Sequence, residues 1–248
     1  MLFLVTDTSG KDGFVGLVRA GEGAESGKVV VIEEVPLTGG TFSAQLVPQI
    51  SRLLAQHGFR RNDIDAFIVV SGPGSFTGLR VGLAAIKALA EILQKPIVPL
   101  SLLEVIAHSF FFVAERLGDD KNVRYAVALD AGRGEAFVGR YEIAFEKDAA
   151  NSLRCEGESL LQTQSLAESI KSGTTPRLIT TDAALVNALE RNLDLAQKSA
   201  VLLQSRPRSA EVAAVGWQKL RAGSIVSPEQ LEANYIRRSD QEIFAKPS

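Results

Sequence analysis

The stretch Gly72-Pro73-Gly74-Ser75-Phe76-Thr77-Gly78-Leu79-Arg80-Val81-Gly82 constrains this chain more than any other. It follows an apolar run, Asp65 to Val70, and leads into a segment of helical period that continues to about Gln94. Glycines between a buried strand and a helix let the backbone approach another group closely. The helix start offers unpaired N–H groups and the positive end of a dipole, which favours an anion. The spacing fits neither familiar phosphate loop. A Rossmann turn would place its third glycine three residues after the second, and a P-loop would continue with Lys-Ser or Lys-Thr. Gly78 and Gly82 stand one helical turn apart and share a face that admits another backbone. Two readings remain open: a tight turn with a closely packed helix, or a notched surface on which another polypeptide lies.

The rest of the chain alternates strand and helix patterns. Leu2 to Thr6, Phe14 to Arg19 and Val29 to Val35 read as a strand meander. Leu46, Ile50, Leu53 and Leu54 recur at helical spacing between Thr41 and Gly58, with Gly58 suited to the position after the helix. Ile97 to Leu100 is a short strand, and Ser101 with Glu104 has capping-box spacing for a helix ending near Gly118. This order predicts an α/β lobe with a mixed sheet. The second half opens the same way: setting Asp7 on Asp130 without gaps also matches Phe14-Val15-Gly16 with Phe137-Val138-Gly139. Further on come a helix from Ser165, a strand over Arg177 to Thr181, a helix over Asp182 to Arg191 and a last helix over Ser209 to Ala222. Residues 146–158 read as a variable loop, and Pro228 to Ser248 as a polar surface tail. Two lobes are expected, 1–108 and 109–248.

Composition excludes several classes. A formal charge of −2 gives no global pull toward nucleic acid, so any RNA contact needs a local patch or a partner. Cys155 is the only cysteine, which rules out an internal disulfide and a thiolate metal cage. The opening Met1-Leu2-Phe3-Leu4-Val5-Thr6-Asp7 lacks the features of a signal peptide, and Lys87 and Glu91 interrupt the most apolar helical stretch. A cytoplasmic protein is expected, with no membrane contact.

Asp7-Thr8-Ser9 after the first strand, the Gly72-to-Gly82 segment, Asp130-Ala131-Gly132-Arg133-Gly134-Glu135 after the second lobe's first strand, and Tyr235-Ile236-Arg237 together resemble the TsaB family. That resemblance implies an actin-like ATPase fold (sugar kinase, Hsp70, actin) of two duplicated lobes with mixed sheets. It also implies a non-catalytic dimerisation subunit. Such a subunit pairs with its paralogue TsaD, which transfers threonylcarbamoyl to adenosine 37 of tRNAs reading codons that begin with A; TsaE, an ATPase, joins them. The helices at about 42–57 and 75–93 would form the contact with TsaD, or with a second copy when the chain is alone. The expected docking residues are Leu46, Ile50, Phe76, Leu79, Arg80, Gly82 and Leu83. The family often has a histidine near the start of the first of these helices, where this chain has Phe42.

Chemistry of its own is not expected. The catalytic paralogue holds a metal through a His-x-x-x-His pair, and the matching positions here are Leu102 and Ile106, which cannot ligate a cation. His57 and His108 are the only histidines; neither has a second ligand one turn away, and Ser75 lacks the Gly-x-Ser-x-Gly frame of a hydrolase elbow. A kinase of the same fold is the other rival. Asp7, Thr8, Ser9, Gly72, Gly74 and Asp130 sit where the fold places phosphate loops, so they are the nucleotide-proximal candidates. The plainer reading of the two aspartates, and the preferred one, is a carboxylate capping the turn after each strand. No cofactor is expected to bind this chain tightly; ATP would be used by the assembly, and tRNA would be met only through it. Arg133 and Glu135 fit a surface ion pair or a role across a cleft, and Arg60-Arg61 and Arg237-Arg238 read as solvated faces.

Overall fold

Leu2 to Asp7 carries no polar alternation, and such a strand is stable only when both its faces are covered. In the computed structural model, which describes residues 1–21, 28–39, 41–116, 123–144 and 152–236, all of β1 (Leu2–Asp7) is buried. It forms the centre of a sheet with β2 (Gly13–Ala20), β3 (Val29–Leu37), β4 (Ala66–Gly72) and β5 (Ile97–Ser101) in the order β3-β2-β1-β4-β5. The meander pairs antiparallel, while β4 and β5 join parallel to β1. The connecting helices are α1 (Phe42–Gln56) and α2 (Phe76–Leu93), followed by α3 (Leu102–Arg116).

A second sheet repeats this plan. β6 (Val123–Gly132), β7 (Glu135–Ala144) and β8 (Ser152–Gln162) form the meander; β9 (Leu178–Thr180) and β10 (Val201–Leu203) add in parallel, giving the order β10-β9-β6-β7-β8. The helices are α4 (Thr163–Lys171), α5 (Ala183–Glu190) and the short α6 (Leu195–Lys198), before α7 (Ser209–Arg221). Each sheet thus has a central strand flanked by its own hairpin on one side and two parallel strands on the other. The duplication is real, but the ungapped match misjudges it by one residue of register. Asp7 pairs with Phe14, whereas a bulge at Asp130/Gly132 puts Phe137 opposite Leu129.

The chain divides differently from the expected 1–108 and 109–248. Among the described residues, one compact unit comprises Met1–Val105 and Pro207–Asn234, the other Ile106–Arg206 with Tyr235 and Ile236. The reason lies in α7. Its apolar face covers the first sheet, where Trp217 meets Phe3 at 5.5 Å between ring centroids and Gly216 lets the helix lie against Ile68. Alternation along β1 makes this possible: Leu2 and Leu4 belong to the cluster with α1 and α2, while Phe3 turns to α7. Two other expectations change. Residues 152–158, read as loop, begin the edge strand β8, and the segment after Pro228 buries Leu231 to 1% exposure. Residues 146–151, Gly118, Arg237 and Arg238 fall outside the described residues.

In the second unit Ala126, Ala128, Ala136 and Val138 receive Leu166, Ile170, Leu185 and Leu189. Elsewhere in that unit Tyr125 stacks on Tyr141 and donates its hydroxyl to the Ala107 carbonyl at 2.9 Å. Burial raises the Tyr125 pKa, so the phenol stays neutral and remains a donor.

Glu34 anchors α7 to β3. Its carboxylate accepts the Ser209 N–H at 2.7 Å, one of the unpaired donors at the helix start, and the Arg208 guanidinium at 2.8 Å. Burial raises the Glu34 pKa, but the hydrogen bonds from Ser209 and Arg208 outweigh it, and the net shift is downward. A lowered folded pKa means the contribution is complete above the unfolded value of 4.5 and is lost as pH falls through the folded value. Glu34→Gln should therefore cost about 1–3 kcal/mol at pH 7 and flatten the acid limb of stability below about pH 4.5. Urea unfolding of both proteins from pH 7 to pH 3 measures this; parallel acid limbs would refute it.

Candidate functional site

The turn after β1 is closed on itself. Asp7 Oδ1 accepts the Ser9 N–H at 2.8 Å and the Ser9 hydroxyl at 2.5 Å, and Asp7, Thr8 and Ser9 are all buried. This is the turn-capping carboxylate read from the sequence, and a polar group at that depth requires such partners. The loop after β4 lies directly on the turn: the Ser75 N–H donates to the Ser9 carbonyl at 2.7 Å. A β-carbon on Gly74 would overlap that same Ser9 carbonyl. On Gly78 it would overlap the Thr8 carbonyl, and on Gly82 the Thr8 hydroxyl. Ser75 caps α2 through its hydroxyl, which accepts the Gly78 N–H at 3.3 Å.

The two readings of the glycine segment are thereby separated. The notched face of α2 is an internal seat that the chain's own β1 turn fills. The expected docking residues divide accordingly. Leu46, Ile50 and Leu83 are buried in the cluster between the sheet and the helices, and Leu79 and Gly82 are buried beside them. A partner cannot reach these five, because helical period makes the apolar positions that define a helix the ones its own sheet consumes. Phe76 and Arg80 do face outward, with the Arg80 guanidinium 3.7 Å above the Phe76 ring.

Of the outward surface, sequence reading singles out only Phe76 and Arg80. α1 and α2 pack side by side and expose Ala44, Val47, Phe76, Ala84, Ala88 and Ile92. Phe76, Arg80, Ala84 and Ala88 follow a four-residue period on the outer side of α2. The signal available was this second stripe of small and apolar residues, offset from the more hydrophobic one. Beside it, where the starts of α1 and α2 approach the turn at Gly10 and Lys11, lies a cleft of about 400 Å³ lined also by Phe42, Ser43, Ser75 and Thr77.

Residues 37–223, well over half of the chain, match the model of the TsaD family, tRNA N6-adenosine threonylcarbamoyltransferase. The chain belongs to the TsaD family. Several of its relatives carry the name TsaB. A Haemophilus influenzae tRNA threonylcarbamoyladenosine biosynthesis protein TsaB is 32% identical over 140 residues, 56% of this chain and 53% of that protein. The Bacillus subtilis protein of the same name is 28% identical over 142 residues, 57% and 56% of the two chains. The chain thus spans little more than half the length of these curated relatives. The structure of YeaZ from Pseudomonas aeruginosa superimposes with a TM-score of 0.69 over 94% of this chain and 99% of its own, at 22% identity. That likeness concerns fold, and it agrees with the duplicated actin-like architecture of two mixed sheets.

Within this TsaD-family chain the remaining candidates are dispersed. Leu102 and Ile106 are buried on α3, and among the described residues no group of three or more His, Cys, Asp or Glu gathers to hold a metal. His57 pairs with Glu33 at 2.7 Å, and His108 lies edge-on to Phe111. Among the nucleotide-proximal candidates, Asp7, Thr8 and Ser9 turn inward, and Gly72 and Gly74 pack on the chain's own backbone. Asp130 differs: it is exposed, its Oδ1 accepts the Gly132 N–H at 3.0 Å, and its own N–H donates to Asp182 at 2.7 Å. Arg133 lies at the exposed tip of that turn with a left-handed φ of 57°, and Glu135 begins β7. Among the described residues no helix is long and apolar enough to cross a membrane.

Because the glycine face is internal, Gly82→Val should act on stability. The added side chain meets Thr8 in a packed seat, and the expected loss is about 2–4 kcal/mol, seen as a lower urea midpoint with unchanged slope. An unaltered midpoint would contradict the internal seat.

Proposed function

We propose that this chain is a non-catalytic subunit for threonylcarbamoylation of adenosine 37 in tRNAs reading codons that begin with A. It binds and activates its catalytic paralogue TsaD through the outward face of α1 and α2. The observation that carries this reading is the outer surface of the helix pair. Val47 is 49% exposed, Phe76 42% and Ile92 74%, and they are joined by exposed alanines that let another helix approach closely. Adjoining exposed apolar positions of this kind mark sites of association. The TsaB names of the relatives and the TsaD family match support the same assignment. The chain's contribution is to hold the paralogue in a competent arrangement. Substrate chemistry, ATP and tRNA belong to the assembly, which includes the ATPase TsaE. When alone, the chain pairs with a second copy through the same helices, and it takes up no tightly bound cofactor.

Ala84 is the sharpest probe, since a longer side chain there meets solvent in the free chain and the partner in the complex. Ala84→Glu should weaken binding to the paralogue about 100-fold while moving Tm by less than about 2 °C. Titration calorimetry with the purified paralogue and a melting scan decide it. Undiminished affinity would reject the face.

A further inference from the structure

The segment that follows α7 returns to the first sheet. Val226 donates its N–H to the Ile97 carbonyl at 2.9 Å and accepts the Ile97 N–H at 3.4 Å, extending the outer edge of β5 by one bridge. Ser227 then folds the next residues into a turn. Its carbonyl accepts the N–H groups of Gln230 and Leu231, each at 3.1 Å, and its hydroxyl donates to Glu229 at 2.6 Å. The turn drives Leu231 into the cluster that contains Leu83, Ile86 and Ala90 of α2, with Ala233 packed against the same cluster. Asn234 ends the segment at the glycine loop. Its N–H donates to the Ser71 carbonyl at 2.8 Å, and its carbonyl lies 3.1 Å from where a β-carbon on Gly72 would sit. The Leu79 side chain of α2 lies at the same 3.1 Å. Glu229 is held below the usual carboxylate range by the Ser227 hydroxyl first, then by its own backbone N–H, with a smaller pull from Lys87 of α2.

The segment thus bonds to the loop that leads into α2, at Ser71, and shares one buried cluster with Leu83, Ile86 and Ala90 of α2. We propose that Ser224–Asn234 is a strap that positions α2, so that the seated strap is the docking-competent state of the first unit. This rests on the reading that the outward face of α1 and α2 receives the paralogue. When the strap leaves, the edge of β5, the Ser71 carbonyl and the apolar flank of α2 all lose their cover, and the helix is no longer held in one position. Affinity for the partner then falls with the fraction of molecules in which the strap is seated. Leu231 and Asn234 are positioning residues here, since neither belongs to the outward face.

The test uses the full chain with Leu231→Ala, Asn234→Pro and the conservative Leu231→Met. Asn234→Pro removes the N–H given to Ser71 without altering a side chain of the core cluster. Hydrogen exchange of the free proteins and affinity for the purified paralogue are measured together. Leu231→Ala and Asn234→Pro should speed exchange about tenfold in peptides covering 71–82 and 224–234, leave peptides in 152–162 unchanged, and weaken affinity at least about fivefold. Leu231→Met should restore both. Faster exchange with unchanged affinity would make the strap purely structural and overturn the proposal, as would unchanged exchange. Ala84→Glu run in parallel separates the two inferences: if it leaves affinity intact, the face is misassigned, and if it alone weakens affinity, the strap is.

Discussion

The first unit depends on one seat: the glycine face of α2 resting on the turn Asp7-Thr8-Ser9. Helix and turn approach so closely that Thr8 occupies the space two β-carbons would take. The turn tolerates this because Asp7 satisfies the Ser9 donors from within. Once α2 is fixed there, Leu83 and Ile86 complete the core with α1, the Ser75 cap defines where the helix begins, and the outer stripe acquires a fixed orientation. A helix set back by the width of a methyl group would leave voids along the whole cluster, and close-packed interiors do not absorb such gaps.

The same seat takes in Asp7, Thr8, Ser9 and Gly74, four of the residues that the sequence offers as nucleotide-proximal candidates. In the first unit the β1 turn is buried and the β4 loop is packed on its own backbone, while in the second the corresponding turn keeps Asp130 and Arg133 at the surface. Two copies of one strand plan have therefore been put to different uses. The first has become a platform of helices on a closed strand end. The second retains the open turn but joins it to a core filled largely by alanines and leucines.

Much of this was legible in the residues. The strand meander, the positions of α1, α2 and α7, and the Asp7–Asp130 correspondence follow from apolar runs, helical spacing and turn residues. What the sequence left open was depth. Gly78 and Gly82 announce a close approach without saying what approaches, because a notch for the chain's own turn and a notch for a partner have the same spacing. Leu46, Ile50, Leu79 and Leu83 were read as docking residues for the same reason: the strongest apolar stripe on a helix is the one its own sheet covers. The outer stripe is weaker, alanine-rich and visible only once the inner one is assigned. α7 returning to the first sheet, and the strap after it, are long-range pairings that local pattern does not encode, and the one-residue register offset came from a bulge at Asp130/Gly132, where Gly132 takes a positive φ of 72°.

Thiol labelling tests the division of α2 into an inner and an outer face most directly. In a Cys155→Ser background, Ala84→Cys should react with maleimide in the free chain at the rate of an exposed thiol and at least about tenfold more slowly in complex with the paralogue, and Leu79→Cys should be unreactive in both. Rapid labelling of Leu79→Cys in the free folded chain, or an Ala84→Cys rate that the paralogue leaves unchanged, would contradict the account.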